Sequence, residues 1–411
     1  MPDCGFAVLN FETSGLFDTE GERVVEVAVV HLSSAGDITG SWHSVVNPGL
    51  NPGDWLRHGI SSEQIRSAPT FPQIAPRLWE LLSGRALVAH NAEFTTGFLM
   101  AEFARMGYRP RRGMEAICTM QLARDLLPGA GRSLVDCCAA FDIGVGDAHR
   151  SLGKATATAH LLSSYLQCVP DQESWADALD RAAASPWAPL LGERATWMPR
   201  AVQPTGAVPA TGFLERLSLK LSDYTGPDEC LDYLAMLDLC LLNRQFSDRD
   251  RNALMQMAEA RGIDRSTCAE LNTGYCDELA RVAWGAGTLS AVDQADLLLV
   301  TRMLGVPDSH VTSSPHLVSP ARRAVPQPKQ HDFTLQHGDI VVLTGELARS
   351  RTDWNRELGA RGFRVAAAVT MRTRLLVASD PAASTGKSGK ARDYGIPIVS
   401  EFGLRALIGV H

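Results

Sequence analysis

Val8-Leu9-Asn10-Phe11-Glu12-Thr13-Ser14-Gly15-Leu16 is the stretch on which the reading of this chain turns. It continues from Phe6 an apolar run that ends in a polar residue, the pattern of a buried strand. Working outward, Val24 to His31 is β-branched and Trp42 to Asn47 follows, so two further strands are expected before Pro48 and Pro52 punctuate a loop. Pro72 to Ser83 places Ile74, Leu78, Leu81 and Leu82 at helical spacing, Ala86 to His90 suits a short strand, and Glu93 to Met106 a helix. A helix from about Leu152 closes the unit near Leu166. Strands first, then strand and helix in alternation, predict a mixed-sheet α/β domain over 1–167.

The chain has 411 residues, too many for one ordinary core, so two to three domains are expected. Hydrophobic residues at 45% and charged residues at 21% are the balance of a soluble globular protein. No apolar run reaches the roughly 18–20 residues that cross a bilayer. The start, Met1-Pro2-Asp3-Cys4-Gly5, does not read as a signal peptide, and nine cysteines without a CxxC pair point to a reducing cytoplasm. Adjacent Cys137 and Cys138 read as small core residues. The net charge of −7 hides a split. Residues 213–308 are acidic, with Asp228, Asp232, Asp238, Asp248, Asp250, Asp277 and Glu278 among others. The tail from Arg322 is basic, so a polyanion would meet the C-terminal part.

Residues 168–212 are rich in Pro and Ala and read as a linker, although Trp175, Trp187 and Trp197 suggest that parts of it pack on a neighbour. From 213 to 308 the pattern is helical and weakly repeated. Phe246-Ser247-Asp248-Arg249-Asp250 precedes one apolar helix ending at Arg261-Gly262. Leu289-Ser290-Ala291-Val292-Asp293 precedes another ending at Leu304-Gly305. Each Ser with Asp three residues later resembles a capping box, and each Gly a helix stop. Residues 309–332 carry Pro315, Pro320, Pro326 and Pro328 and read as a flexible linker, and a last α/β pattern fills 333–411.

Three stretches together resemble the motifs of the DEDDh exonucleases, the DnaQ-like family with an RNase H-like fold. They are 8–16, Val88-Ala89-His90-Asn91-Ala92-Glu93-Phe94-Thr95-Thr96-Gly97-Phe98-Leu99, and His149-Arg150-Ser151-Leu152-Gly153-Lys154-Ala155-Thr156-Ala157-Thr158. The resemblance implies two divalent cations held by four carboxylates, with a histidine as general base. Hard cations of this kind require carboxylate oxygens. Here the carboxylate positions read Asn10, Glu12, Thr95 and Lys154, and the base position His149. Three carboxylates are absent, and the formal charge of the site moves from about −4 to about 0, because Lys154 offsets Glu12. Glu93, Asp147 and Asp18 lie close to the motifs as candidate replacement ligands. The resemblance also places Thr13, His90, Asn91 and Phe94 along the path of a nucleic-acid strand, with Arg109, Arg111 and Arg112 as further candidates.

His337 to Gly409 resembles a BRCT domain of the single-copy type. The resemblance implies a phosphate site at Thr344, Gly345 and Lys390, helped by Lys387 or Arg351. A hydroxyl, a backbone N–H and a charge near a helix N-terminus suit one anion. Phe402 and Leu404 are expected to fill the space that many such domains give to a Trp. The middle region resembles TerB-like helical domains, with no metal expected, and its acidity favours a protein partner or simple solubility.

The expectation is a multidomain protein with an RNase H-like α/β domain, an all-α middle and a BRCT-like α/β tail. It would serve as a nucleic-acid-associated scaffold in replication or repair without efficient 3′–5′ hydrolysis, its BRCT module docking on a DNA end or on a phosphorylated or other protein partner. Two other readings stay open: an exonuclease working with altered ligands and Mg²⁺ or Mn²⁺, and a protein-interaction module without nucleic-acid contact.

Overall fold

The structure is a computed structural model, and it describes residues 5–17, 21–49, 59–108, 115–127, 130–146, 150–169, 173–184, 187, 190, 197–200, 221, 224, 226–242, 248–285, 289–312, 333–370, 372–381 and 386–409.

The N-terminal sheet is built from β1 (Phe6–Thr13), β2 (Val24–Leu32), β3 (Ile38–Val45), β4 (Ala86–Ala89) and β5 (Ala116–Cys118), in the order β3-β2-β1-β4-β5. The first three strands are antiparallel, whereas β4 and β5 run parallel to β1. Its helices are α1 (Ser62–Ser67), α2 (Phe71–Leu82), α3 (Ala92–Arg105), α4 (Thr119–Leu126), α5 (Leu134–Ala139), α6 (Ser151–Cys168) and α7 (Glu173–Ala184).

Side chains alternate across a strand, and the two cores show which face each residue takes. Ala7, Leu9, Phe11, Val27 and Val29 meet α2 and α3. Phe6, Val8, Ala28, Val30 and Leu32 meet α6 and its neighbours, with Cys137 and Cys138 buried among them. Asn10, Glu12 and Glu26 share the parity of this second set, so three polar side chains enter the α6 side of the sheet.

Part of the expected linker belongs to this domain. Trp175 on α7 is buried and meets the Phe6 ring edge-on, with centroids 6.4 Å apart. Trp187 lies 4.5 Å from the Trp79 ring, and Met198 adds a bridge to Val45 at the edge of the sheet. Pro and Ala dominate the composition of this segment, and the packing falls to the aromatic anchors, as the tryptophans suggested for parts of it. Trp197 alone of the three stays half exposed.

The middle region forms α8 (Asp228–Leu242), α9 (Asp248–Ala260), α10 (Arg265–Gly285), α11 (Ala291–Leu304) and α12 (Ser309–Thr312). Ser290 caps α11 by accepting from the Asp293 N–H, and Gly305 ends it at φ 68°, as the repeat implied. Ser247 lies outside the described residues. The core of this bundle includes Leu16 and Phe17, from the segment that follows β1.

The C-terminal unit is a four-stranded parallel sheet, β7-β6-β8-β9, formed by β6 (Ile340–Thr344), β7 (Arg364–Ala366), β8 (Thr373–Ala378) and β9 (Ile398–Val399). It carries α13 (Arg351–Ala360), α14 (Gly386–Asp393) and α15 (Glu401–Ile408). Leu404 is fully buried, but Phe402 is 82% exposed and fills no core space. Trp354, on α13, occupies the centre of this core. Among the described residues no helix is long and apolar enough to cross a membrane.

Glu102, buried on α3, ties that helix to the start of β2. Its oxygens accept from Arg23 Nε and Nη2, each at 2.8 Å, and from the Val24 N–H at 3.0 Å. Removing one partner of a buried pair strands the other charge. Arg105 Nη1, 3.7 Å from Glu102 Oε1, and the Val24 N–H remain, so Arg23→Ala is expected to destabilise the N-terminal domain by about 2 kcal/mol. Urea unfolding measures it, and Arg23→Lys should recover only part of the loss, since an ammonium cannot bridge both oxygens.

Candidate nuclease-type site

β1 and β4 run parallel, and their C-terminal ends form the edge where ligands bind in open α/β sheets. Glu12 reaches this edge from β1, buried to 4% exposure. Lys154 reaches it from the first turn of α6, with its Nζ 2.8 Å from Glu12 Oε1. Asn10, two residues before Glu12, points to the same face, and none of the described residues hydrogen-bonds its buried Oδ1. Thr95 enters from the first turn of α3, buried, with its hydroxyl 3.4 Å from the Asn91 carbonyl. His149, Asp147, Asp18, Arg109, Arg111 and Arg112 lie outside the described residues.

Glu26 is a member of this site that the motifs did not reveal. It stands directly opposite Glu12 in the β1–β2 register and is fully buried. Its Oε2 accepts from the Ser151 N–H, at the start of α6, and from Arg200 Nη1, both at 3.3 Å. Burial pushes its carboxyl above the ordinary range, Arg200 and the Ser151 N–H pull it back, and the Glu12 charge adds to the rise. The signal was legible: Glu26 is the one charged residue in Val24-Val25-Glu26-Val27-Ala28-Val29-Val30. The site thus holds two buried carboxylates and two cations, Lys154 on Glu12 and Arg200 on Glu26.

This donor set does not fit a pair of hard cations. Of the four motif positions only Glu12 offers a carboxylate, and an ammonium already sits on it. Among the described residues no three His, Cys, Asp or Glu side chains converge in a way that would hold a metal ion. Glu93, a candidate replacement ligand, is instead ion-paired with Arg261 of the helical bundle.

The residues expected along a strand's path have structural partners. The Thr13 hydroxyl donates to the Gly15 carbonyl at 2.5 Å. Asn91, in the left-handed region at φ 61°, caps α3 by accepting from the Phe94 N–H. His90 Nε2 donates to the Arg132 carbonyl at 3.0 Å, so Nδ1 is left to accept from the Thr119 hydroxyl, also at 3.0 Å. Phe94 is partly buried against Phe98 and the core of the helical bundle.

The fold and the site's position define an exonuclease-type domain. Residues 8–162 match the family model described as Exonuclease, of the RNase T type. DNA polymerase III subunit epsilon of Rickettsia felis is 30% identical over 181 residues, covering 43% of this chain and 78% of that protein. The Escherichia coli K12 subunit epsilon is 29% identical over 184 residues, covering 42% and 74%. Among solved structures, E. coli exonuclease I in complex with a dT13 oligonucleotide aligns at a TM-score of 0.36 and 17% identity, covering 41% of this chain and 42% of that one. The chain belongs, through its N-terminal domain, to this family of exonucleases.

Burial takes the His90 imidazole down to about 4. Its folded value lies below the unfolded one near 6.5, so the stability it contributes is present above pH 6.5 and lost as pH falls toward 4. His90→Gln is expected to flatten that part of the stability profile by about 3 kcal/mol. Denaturant midpoints compared at pH 7 and pH 4 read the difference.

Proposed function

We propose that this protein is a nucleic-acid-associated scaffold whose exonuclease domain no longer carries out two-metal 3′–5′ hydrolysis. The observation that carries the reading is the Lys154 ammonium 2.8 Å from Glu12, where the family resemblance calls for a cation between carboxylates. Asn10 and Thr95 at two other ligand positions supply neutral oxygens, which do not offset the cost of partly dehydrating Mg²⁺. Lys154 offsets Glu12, so the edge where a strand's phosphate would lie is near neutral rather than strongly negative, and a strand can approach without a metal.

The C-terminal domain supplies the second half of the reading. Its resemblance to a BRCT module, with Thr344 and Gly345 at the end of β6, supports docking on a DNA end in replication or repair. Gly345 adopts φ 78°, and a Cβ there would stand 1.9 Å from Ser379 Oγ, so the position requires glycine. The middle domain turns part of its acidity inward. Asp228 pairs with Arg124, Asp238 with Arg132 at 2.7 Å, and Asp232 with Arg261 at 2.7 Å and Gln121 at 3.2 Å. These acids have partners within the chain, which favours a scaffold over a module built around an outside protein.

The test follows hydrolysis of 3′-labelled single-stranded DNA and RNA with Mg²⁺ or Mn²⁺, beside Glu12→Ala and His149→Ala variants. No trimming above the buffer control is expected, together with strand binding that persists in EDTA and weakens steeply with salt. Trimming that both variants abolish would establish a working exonuclease with altered ligands and overturn the proposal.

A further inference from the structure

The face of the C-terminal domain where β6 ends and α14 begins is packed against α5 of the exonuclease domain and the turn that follows it. Asp142, in that turn, adopts φ 63° and projects into the C-terminal domain. Its Oδ2 accepts from the Thr344 hydroxyl at 3.1 Å, and its Oδ1 accepts from the Lys387 N–H at the first turn of α14. Lys387 Nζ lies 3.5 Å from Oδ2. Gly386 permits the approach, since a Cβ there would stand 2.2 Å from Asp142 Oδ1. Beside this cradle, Lys390 Nζ reaches Asp136 on α5 at 2.6 Å, with both side chains buried. Lys390, expected to hold phosphate, is thus engaged in cis. The Val369 N–H donates to the Ala140 carbonyl at 3.3 Å, and Ala368 joins the core on the α6 side.

The two carboxylates are held differently. Asp136 and Lys390 form a buried pair. Asp142 is 39% exposed at its side chain, while Lys387 below it is only 7% exposed. Burial lowers the Lys387 ammonium from its usual range, the Asp142 charge opposes that, and the nearby Arg351 charge adds to it. One ammonium, one hydroxyl and one helix-terminal N–H therefore face the Asp142 carboxylate, with the Arg351 charge close enough to act on Lys387. A phosphomonoester, with close to two charges and three acceptor oxygens, matches this cradle better than a carboxylate does.

We propose that Asp142 occupies this cradle as an internal substitute for phosphate, so that docking of the C-terminal domain on the exonuclease domain and capture of a terminal phosphate on a nucleic-acid strand exclude one another. This rests on the end-docking reading above and adds its regulation. Linkage sets the consequence: the phosphate's apparent affinity falls by the fraction of molecules in which Asp142 is withdrawn. A strand end that binds releases the C-terminal domain from the turn between α5 and α6.

The test uses the full chain and Asp142→Asn. Asparagine tolerates the left-handed conformation and removes only the charge. The probe is a fluorescent single-stranded oligonucleotide with a 5′-phosphate, against the same oligonucleotide with a 5′-hydroxyl, read by anisotropy. Amide hydrogen exchange over residues 134–146 is followed without ligand. Asp142→Asn is expected to bind the phosphorylated strand about tenfold more tightly than the wild type and the hydroxyl strand equally. Exchange over 134–146 should rise, and adding Thr344→Val should remove the gain in affinity. Equal affinity of wild type and Asp142→Asn for the phosphorylated strand, with unchanged exchange, would overturn the latch. Faster exchange with no preference for the 5′-phosphate in either protein would overturn the end-docking reading while leaving the cis contact in place. A gain confined to a phosphothreonine peptide would overturn the nucleic-acid assignment.

Discussion

Two carboxylates lie side by side on one face of a buried β-sheet, and the rest of the N-terminal domain depends on how they are neutralised. Glu12 and Glu26 are paired across β1 and β2 and almost fully withdrawn from water. Each would cost several kcal/mol to bury alone. Lys154 answers the first from α6, and Arg200 answers the second from a segment that returns to the sheet some 30 residues after α6 ends. A catalytic relative of this fold can offset such a cluster with divalent metal. Here the offset comes from the chain's own side chains. The Lys154 ammonium and the Arg200 guanidinium therefore let the sheet close over both carboxylates.

The other domains are bound to this one through charge as well as apolar packing. Arg124 and Arg132 project from α4 and the turn before α5 to meet Asp228 and Asp238 on α8, and Arg261 bridges Asp232 to Glu93 on α3. Leu16 and Phe17 insert into the bundle's core from the end of β1. His90 connects the two systems: its ring holds the Arg132 carbonyl while the Arg132 guanidinium holds Asp238. The segments around the Glu12 edge of the sheet thus double as the seat of the helical bundle, and the turn between α5 and α6 doubles as the seat of the C-terminal domain.

Much of this was legible in the sequence. The first strand, the helix after His90-Asn91 and the helix carrying Lys154 all form where periodicity put them, although β1 runs three residues past Asn10 to Thr13. Ser290 and Gly305 bound their helix by the expected chemistry. Leu404 filled a core position, whereas Phe402 did not, because the Trp354 ring on α13 already takes the centre. What the sequence hid were contacts between distant segments. Nothing local says that Asp142 will meet Thr344, or that Arg200 will reach Glu26, since each depends on two domains or two ends of one domain closing first. In 168–212 the Pro and Ala content pointed to a linker while the tryptophans pointed to packing, and Trp175 and Trp187 do pack, on Phe6 and on Trp79. The acidity of the middle domain points outward in the sequence because Arg124 and Arg132, the partners of Asp228 and Asp238, lie about a hundred residues away.

The most direct test of the central claim is a titration of the full chain with Mn²⁺ followed by electron paramagnetic resonance, which counts bound ions without requiring turnover. The expected result is no stoichiometric Mn²⁺ binding that depends on Glu12, with wild type and Glu12→Gln giving the same curve. One or two ions bound per chain, and lost in Glu12→Gln, would contradict it and show that the ammonium of Lys154 yields its place to a metal.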